Sequence, residues 1–355
     1  MVSPTPKLEK PHDLLALLGA FARQNGIALN AEDLIPQFLA DASDKLSVAL
    51  ADPTLLHGTR TEHQFEALIL TLGRYRLLKS EDHGRVHSTV DCRAPDFRIV
   101  LDDGEQWVVE VKNVRQDDAG TQVAQLSPAY LATLQSYCDL VGVPLRIAHY
   151  WSRWKLWTLV DPQKFRTQSG GARIEMMAAF RASELSRLGD VIFCTEPPIR
   201  LLVETEPAPV NEAPASTVVE TRTRGVRLFV GGREITEPRS FQLTWILMLY
   251  GEWAAEGPRP VMADGRLTGI EFIVAPIQTD DEDEPTLVGT PIGQASRIFA
   301  RYFAEDTTAE NTLVQLRGQP KPEWFEPMAD WNFKEAQLPL WVLHTHPPLL
   351  DDDDA

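Results

Sequence analysis

"PDFRIVLDDGEQWVVEVKN", residues 95–113, alternates apolar and polar side chains over most of its length. This alternation predicts two β-strands, and the Asp-Asp-Gly run at 102–104 supplies the turn of a hairpin between them. Asp96 opens the first strand, while Glu110 and Lys112 lie two residues apart on the second and share one of its faces. The hairpin therefore brings two carboxylates and an ammonium to one end of the sheet. Such groups are costly to bury unless they are paired, hydrated or bound to a metal ion.

These three side chains are the candidate catalytic residues of the chain. Two carboxylates suit a hard cation such as Mg²⁺, which keeps several waters and takes phosphate oxygens as its remaining ligands. An adjacent lysine can orient or deprotonate a water and offset negative charge that develops on a phosphate. Asp91 is an alternative to Asp96 as the first carboxylate, but Asp96 has the better strand context.

Helical patterns flank the hairpin on both sides. Residues 58–78 have apolar side chains at helical spacing, residues 127–142 predict a helix that ends near Gly142, and 144–160 predict a strand or strand pair. The resulting order is αβββαβ. With Pro95-Asp96 as its first motif and Glu110-Val111-Lys112 as its second, this arrangement resembles the PD-(D/E)xK nuclease superfamily, whose fold is called restriction-endonuclease-like. The resemblance covers about residues 58–160 and extends at most to residue 203.

The resemblance implies an activity and a set of site residues. It implies a metal-dependent endodeoxyribonuclease in which Asp96, Glu110 and the backbone carbonyl of Val111 hold Mg²⁺ or Mn²⁺. It gives Lys112 the role of assisting the attacking water. Members of the superfamily often add a glutamate from the preceding helix.

Two residues can supply that additional glutamate. Glu62 and Glu66 both lie on the predicted helix, and Glu62 is preferred because it lies slightly nearer the apolar stripe. DNA is preferred to RNA because it is the commoner substrate of the superfamily. A homodimer, and a role in defence or repair, follow from the resemblance alone.

An aromatic and basic stretch, "HYWSRWKLWTLV" (149–160), is the candidate nucleic-acid interface. If it forms one strand, Trp151, Arg153, Lys155 and Trp157 lie on one face, and this face mixes base-stacking and phosphate-binding groups. Arg146 adds a further positive charge close by. The alternative is an amphipathic strand whose tryptophans pack beneath a helix.

The chain is predicted to be α/β, with a restriction-endonuclease-like mixed sheet flanked by helices and a second, smaller α+β domain. A segment rich in Pro and Glu separates the two domains and has the composition of a linker. The predicted boundaries are an N-terminal helical segment (1–57), the nuclease-like domain (58–203), the linker (204–221), an acidic α+β domain for partner binding or regulation (222–346) and a disordered acidic tail (347–355).

Charge is distributed unevenly along the chain, which has a net charge of −17. Residues 1–203 contain 22 Lys and Arg against 25 Asp and Glu, whereas residues 204–355 contain 12 against 26. The acidity therefore does not exclude a phosphate-binding face in the first part, because binding responds to local potential. It argues against indiscriminate coating of nucleic acid and favours a protein partner for the acidic part.

Composition excludes several classes of protein. Hydrophobic residues make up 43% and charged residues 24%, which is typical of a globular protein, and no apolar run is long enough to cross a membrane. The first 15 residues lack the apolar core of a secretory signal, and the three cysteines are scattered. We therefore expect reduced thiols, a cytoplasmic location and no membrane association.

A function from a different class is also consistent with these residues. The chain could keep the nuclease fold with an idle site and act as a nucleic-acid-binding or protein-scaffold module. The two functions differ in their need for Mg²⁺ and Lys112, since a binding module would tolerate the loss of both.

Overall fold

The computed structural model describes residues 11–82, 86–116, 118, 120–209, 219–276, 290–310, 312–318 and 336–344. It divides the chain into an N-terminal unit of residues 1–60 and a main unit of residues 61–355. Both helices and strands are abundant, so the predicted α/β class is confirmed.

The helices, in chain order, are α1 (Pro11–Asn25), α2 (Leu34–Leu50), α3 (Pro53–Leu72), α4 (Pro128–Val141), α5 (Met176–Arg181), α6 (Pro238–Tyr250) and α7 (Ala295–Thr307). The strands are β1 (Leu77–Ser80), β2 (Phe97–Val100), β3 (Gln106–Val114), β4 (Val123–Leu126), β5 (Leu145–Trp151), β6 (Leu156–Val160), β7 (Ala172–Glu175), β8 (Ile192–Thr195), β9 (Ile199–Pro209), β10 (Thr223–Val230), β11 (Arg233–Ile235), β12 (Ala254–Ala263), β13 (Arg266–Ala275), β14 (Thr290–Gln294), β15 (Thr308–Ala309), β16 (Thr312–Leu313) and β17 (Leu340–Leu343).

The N-terminal unit contains α1, α2 and the first part of α3. Phe21 of α1 and Phe38 of α2 lie edge to face, with ring centroids 5.7 Å apart. The helix predicted over 58–78 begins earlier, at Pro53, because the Asp52 carboxylate accepts the backbone N–H of Thr54 at 2.8 Å and caps it. It ends at Leu72. The next residue, Gly73, has a φ of +78°, which glycine adopts without strain.

The central sheet of the main unit has the strand order β1-β2-β3-β5-β6. Strands β3 and β5 are parallel, and every other neighbouring pair in this sheet is antiparallel. A parallel pair needs a crossover, and here it is made through β4 and α4. The predicted mixed sheet is thus confirmed.

Two hydrophobic cores cover the faces of the central sheet. Phe65 and Leu68 of α3 belong to the core on one face, and Leu131 and Leu134 of α4 belong to the core on the other. All four side chains are fully buried. Helices on both faces explain why β3 can be a run of apolar residues with little alternation in burial.

The β2–β3 hairpin folds as predicted. Phe97 pairs with Val109, and Val100 pairs with Gln106. At the turn, the Gly104 N–H donates to the Leu101 carbonyl at 3.0 Å, and the φ of Gly104 is +90°. Glycine adopts this φ without strain, so the sequence of the turn fixes the register of the pair.

Two more sheets complete most of the main unit. One has the order β11-β10-β9-β13-β12 and the other the order β14-β8-β17, while β4–β7 and β15–β16 form separate two-stranded sheets. Strands β10 and β11 form a hairpin and pair through Leu228 and Ile235.

The structure differs from the predicted domain boundaries. Strand β9 continues to Pro209, into the predicted linker, and pairs with both β10 and β13. Strand β8 pairs with β14 and β17, which lie about one hundred residues or more further along the chain. One hydrophobic core includes Phe65 and Ile99 together with Leu243 and Phe299. The parts on either side of residue 203 therefore share a core. Residues 210–218 of the predicted linker and residues 347–355, the predicted tail, lie outside the described residues.

The three cysteines, Cys92, Cys138 and Cys194, are unpaired. Among the described residues, no helix combines the length and apolar character that crossing a membrane requires.

Candidate active site

The β2–β3 hairpin places the predicted carboxylates side by side. Asp96 directly precedes β2 and Glu110 lies in β3, one position beyond the Phe97–Val109 pair. The backbone N–H of Val111 donates to Asp96 Oδ2 at 2.6 Å. We call Asp96 and Glu110 the acidic pair. This contact joins Asp96 to the backbone of the residue that follows Glu110.

Both members of the acidic pair are buried, with 8% of Asp96 and 1% of Glu110 exposed to solvent. Burial and the neighbouring charge of Glu110 raise the pKa of Asp96 to about 8, while the hydrogen bond from Val111 opposes this rise. The cause is physical: a carboxylate loses hydration when it is buried, and a second carboxylate repels its charge.

Lys112 contacts the acidic pair directly. Its ammonium donates to Glu110 Oε1 at 2.6 Å, as their two-residue spacing on β3 predicts. Its side chain is 33% exposed. Burial opposes the charged form, but the charge of Glu110 and hydrogen bonds to Glu110 and Tyr130 raise the pKa of Lys112 above its ordinary value. The lysine therefore stays protonated beside the carboxylate.

Helix α4 contributes Tyr130, a residue that the sequence analysis missed. The Lys112 ammonium donates to the Tyr130 hydroxyl at 2.8 Å, and this hydroxyl donates to Glu110 Oε1. The ammonium also lies 4.5 Å from the centroid of the tyrosine ring. Tyr130 is in the first turn of the helix that follows the motif, and its contacts depend on how α4 packs against β3.

The helix that precedes the motif places Glu62 near the site. Burial and the charge of Asp82 raise the pKa of Glu62, and the charges of Glu110 and Lys112 also act on it. Glu66, the other candidate, lies with its Oε2 3.8 Å from Nδ1 of His63. These contacts agree with the preference for Glu62, although they do not test its predicted role as a ligand.

The acidic pair offers part of a metal-ion site. Glu110 Oε2 is buried and, among the described residues, has no hydrogen-bond partner. Oxygen donors of this kind fit a hard divalent cation, and such an ion would offset the repulsion within the acidic pair. In the described parts of the chain no three His, Cys, Asp or Glu side chains are grouped closely enough to hold a metal ion. The donors that fit are thus Asp96, Glu110 and, as the resemblance implies, the carbonyl of Val111.

The predicted nucleic-acid face is largely buried. Residues 152–155 form a turn between β5 and β6, so the stretch is a hairpin and not one strand. Trp151 is fully buried and donates from Nε1 to Thr158 Oγ1 at 2.9 Å. Trp157 is 1% exposed and its ring lies 4.9 Å from that of Tyr150. Neither indole is available for stacking on a base, which is the packing alternative that the sequence left open.

The predicted basic residues divide into two groups. Arg146 is 9% exposed, and its Nε donates to Glu184 at 2.7 Å. It therefore acts within the fold and does not form part of the predicted interface. Arg153 and Lys155 are exposed in the turn, together with Trp154, which lies between them.

Comparison with known proteins gives one structural similarity to report. The Holliday junction resolvase Hjc of Archaeoglobus fulgidus, an archaeal hyperthermophile, is 17% identical, with a TM-score of 0.30; the alignment covers 37% of this chain and 99% of the resolvase chain. No protein-family model matches this chain, and no curated protein sequence matches it. The function of this chain therefore follows from the chemistry of its candidate site.

Proposed function

We propose that this protein is a Mg²⁺-dependent endonuclease that hydrolyses phosphodiester bonds in DNA. The observation that carries the proposal is that the β2–β3 hairpin buries Asp96 and Glu110 and that Lys112 contacts Glu110 directly. Burying two carboxylates is unfavourable unless a cation compensates their charge. The acidic pair supplies ligands for a hard cation, and Lys112 supplies a charged donor for a water or a phosphate oxygen.

Each side chain has a distinct role in the proposed reaction. Asp96 and Glu110, with the carbonyl of Val111, would hold the metal ion. Bound Mg²⁺ would polarise the phosphate and lower the pKa of a bound water. Lys112 would orient the attacking water and stabilise negative charge on the phosphate. Tyr130 would hold the lysine in place through the hydrogen bond that joins them.

The remaining features of the proposal follow from the resemblance to PD-(D/E)xK nucleases. Glu62 is the proposed additional carboxylate, and DNA is proposed in preference to RNA. Cutting both strands of a duplex takes two sites, so we propose a homodimer. A cytoplasmic role in defence or repair, and a protein partner for the acidic residues after 203, complete this proposal.

Cleavage assays with variants of the site test the function. We expect the wild-type protein to cut linear duplex, single-stranded or branched DNA with Mg²⁺ or Mn²⁺. Asp96→Ala and Lys112→Ala should each reduce the rate by at least about 100-fold, since the first removes a ligand of the metal ion and the second removes a positive charge beside the reacting phosphate. Circular dichroism and DNA binding should be retained in both variants.

A lysine outside the site provides the matched control. Lys164 is 55% exposed and pairs with Glu184 at 3.1 Å, so Lys164→Ala removes the same charge without touching the acidic pair. Its cleavage rate should equal that of the wild-type protein. Equal losses in Lys112→Ala and Lys164→Ala would contradict a catalytic role for Lys112.

One observation favours a second candidate function, that of an idle nuclease fold that binds nucleic acid or a protein. Lys112 and Tyr130 both contact the same oxygen of Glu110, and this pairing already compensates much of its charge. Calorimetric titration with Mg²⁺ separates the two functions. An idle site would show no binding of Mg²⁺ that depends on Asp96, whereas the nuclease would bind Mg²⁺ and lose this binding in Asp96→Ala.

A further inference from the structure

The turn between β5 and β6, residues 152–155, exposes an aromatic ring between two positive charges. Arg153, Trp154 and Lys155 are consecutive and exposed, whereas every residue of the flanking strands is buried. Trp154 is 37% exposed. We call residues 152–155 the exposed turn. A tryptophan in this setting presents a surface for stacking, and the neighbouring cations suit phosphate groups.

The backbone of the exposed turn is well defined. The Trp154 N–H donates to the Trp151 carbonyl at 3.0 Å, and Ser152 donates from both its N–H and its hydroxyl to the Val114 carbonyl. Lys155 has a φ of +49°, in the left-handed region that glycine and asparagine adopt with less strain.

The exposed turn lies at the same end of the sheet as the acidic pair. Lys112 is opposite His149 in the β3–β5 register, and Val114 is opposite Trp151, the residue that precedes the turn. Two residues of strand separate Lys112 from Val114, which is about 7 Å. The turn therefore begins within reach of the nucleotides next to a phosphate that contacts Lys112.

We propose that the exposed turn binds unpaired nucleotides beside the scissile phosphate. Trp154 stacks on a base, while Arg153 and Lys155 contact the phosphates that flank it. A base within a duplex is already stacked on its neighbours, so one tryptophan face favours DNA with a single-stranded part, such as a fork or flap. This inference rests on the proposed nuclease function and names its substrate class. It replaces the predicted interface, because Trp151 and Trp157 are buried.

Fluorescence anisotropy with a labelled forked DNA and a duplex of the same sequence tests the inference. All proteins carry Lys112→Ala, in Mg²⁺, so that the DNA is not cut during the measurement. Trp154→Ala should weaken binding of the fork by about tenfold or more, because base–aromatic stacking contributes that much per base. The duplex should lose much less affinity, and Trp154→Phe should restore most of the binding of the fork.

A second exposed tryptophan provides the matched control. Trp245 of α6 is also 37% exposed. Trp245→Ala should leave the affinity for both DNAs unchanged. The melting temperatures of both alanine variants should match that of their parent, since surface substitutions change stability little.

The salt dependence of binding separates the cations from the ring. Arg153→Gln and Lys155→Asn should each reduce the slope of log K against log salt by about 0.7, the value for one phosphate contact on a single strand. Asparagine tolerates the left-handed backbone at position 155, so the turn is kept. Trp154→Ala should lower the affinity without changing this slope.

The outcomes distinguish this inference from the nuclease proposal. An unchanged affinity of Trp154→Ala for the fork, or an equal loss for fork and duplex, would overturn the binding role of the turn while metal-dependent cleavage could still stand. Binding that depends on Trp154, together with a wild-type protein that cuts no DNA, would support the turn and contradict the nuclease.

Discussion

At the scale of single residues, the acidic pair lowers the stability of the fold. Asp96 and Glu110 lose hydration and repel each other, and the rise in the pKa of Asp96 reports this cost. Apolar residues of similar size would fill the same space without it, as replacements of buried charges in other proteins show. A protein keeps such a pair where function requires it, at the expense of stability.

Replacing one carboxyl of the acidic pair by a neutral group should therefore stabilise the metal-free protein. Asp96→Asn keeps an oxygen that can accept the N–H of Val111 and is neutral at every pH, so it avoids the cost of burying an ionisable carboxyl beside Glu110. We expect a gain of about 1 kcal/mol in the free energy of unfolding, which raises the melting temperature in EDTA by about 2–4 °C. The increase in melting temperature that Mg²⁺ causes in the wild-type protein should disappear.

Asp102→Asn is the control for this prediction, because Asp102 is exposed at the turn of the same hairpin. It should change neither the melting temperature in EDTA nor the effect of Mg²⁺. If Asp96→Asn melts below the wild-type protein in EDTA, burying the ionisable carboxyl of Asp96 costs less than the contacts that the substitution disturbs.

The residues of the acidic pair could be predicted from sequence because hairpin geometry is local. The turn at 102–104 fixes the register, and the register brings Asp96 beside Glu110. Tyr130 could not be predicted in the same way. Its hydroxyl meets Glu110 only because α4 packs across β3, and the sequence around Tyr130 carries no sign of that contact.

At the scale of elements, the start of α4 fixes the position of Tyr130. The Ser127 hydroxyl accepts the backbone N–H of Tyr130 at 3.3 Å, and Pro128 occupies the first helical turn. The helix ends at Gly142, whose φ of +67° closes the last turn. Both signals are visible in the sequence, which is why residues 127–142 could be predicted as a helix.

Loss of this cap should destabilise the protein by a measurable amount. Ser127→Ala removes the acceptor for the Tyr130 N–H, and we expect a loss of about 1 kcal/mol in the free energy of unfolding. Urea denaturation at neutral pH measures it. Ser136→Ala on the same helix is the control, because Ser136 donates to the Ala132 carbonyl within the helix and caps nothing. Its change should stay within about 0.5 kcal/mol, and equal losses in both variants would show that Ser127 does not act as a cap.

The aromatic stretch shows where prediction of an element fails. Reading 149–160 as one strand places Trp151 and Trp157 on an exposed face with Arg153 and Lys155. The exposed turn interrupts this strand. It contains no glycine, proline or asparagine, so its sequence does not predict a turn strongly. Because the chain reverses there, β5 and β6 pair with each other and both tryptophans face a core.

At the scale of the whole chain, long-range pairing makes the main unit one structure. Composition predicts a linker at 204–221, but β9 enters this segment and pairs with strands on its far side. Composition reports local preference and carries no information about which distant strands meet. Strand β8 illustrates the point, since both of its partners, β14 and β17, come from the part predicted to be a separate domain.

A buried polar contact joins the two parts of the chain across this core. Asp190 is 4% exposed, and its carboxylate accepts the backbone N–H of Ser296 at 2.8 Å and the Ser296 hydroxyl at 2.7 Å. Ser296 lies in the first turn of α7, where a negative charge is favourable. Burial nevertheless outweighs these hydrogen bonds and raises the pKa of Asp190 to about 6.

This raised pKa predicts a pH dependence of stability. The folded protein holds the Asp190 proton more tightly than the unfolded chain, in which the pKa of an Asp is about 3.9. The stability that the protonated Asp190 contributes is therefore complete below about pH 3.9 and is lost as the pH rises through about 6. Asp190→Asn stays neutral throughout. Relative to this variant, the wild-type protein should lose about 2 kcal/mol of unfolding free energy between pH 4 and pH 7, measured by urea denaturation. A difference for Asp190→Asn that does not change with pH would mean that the hydrogen bonds from Ser296 fully compensate the buried charge.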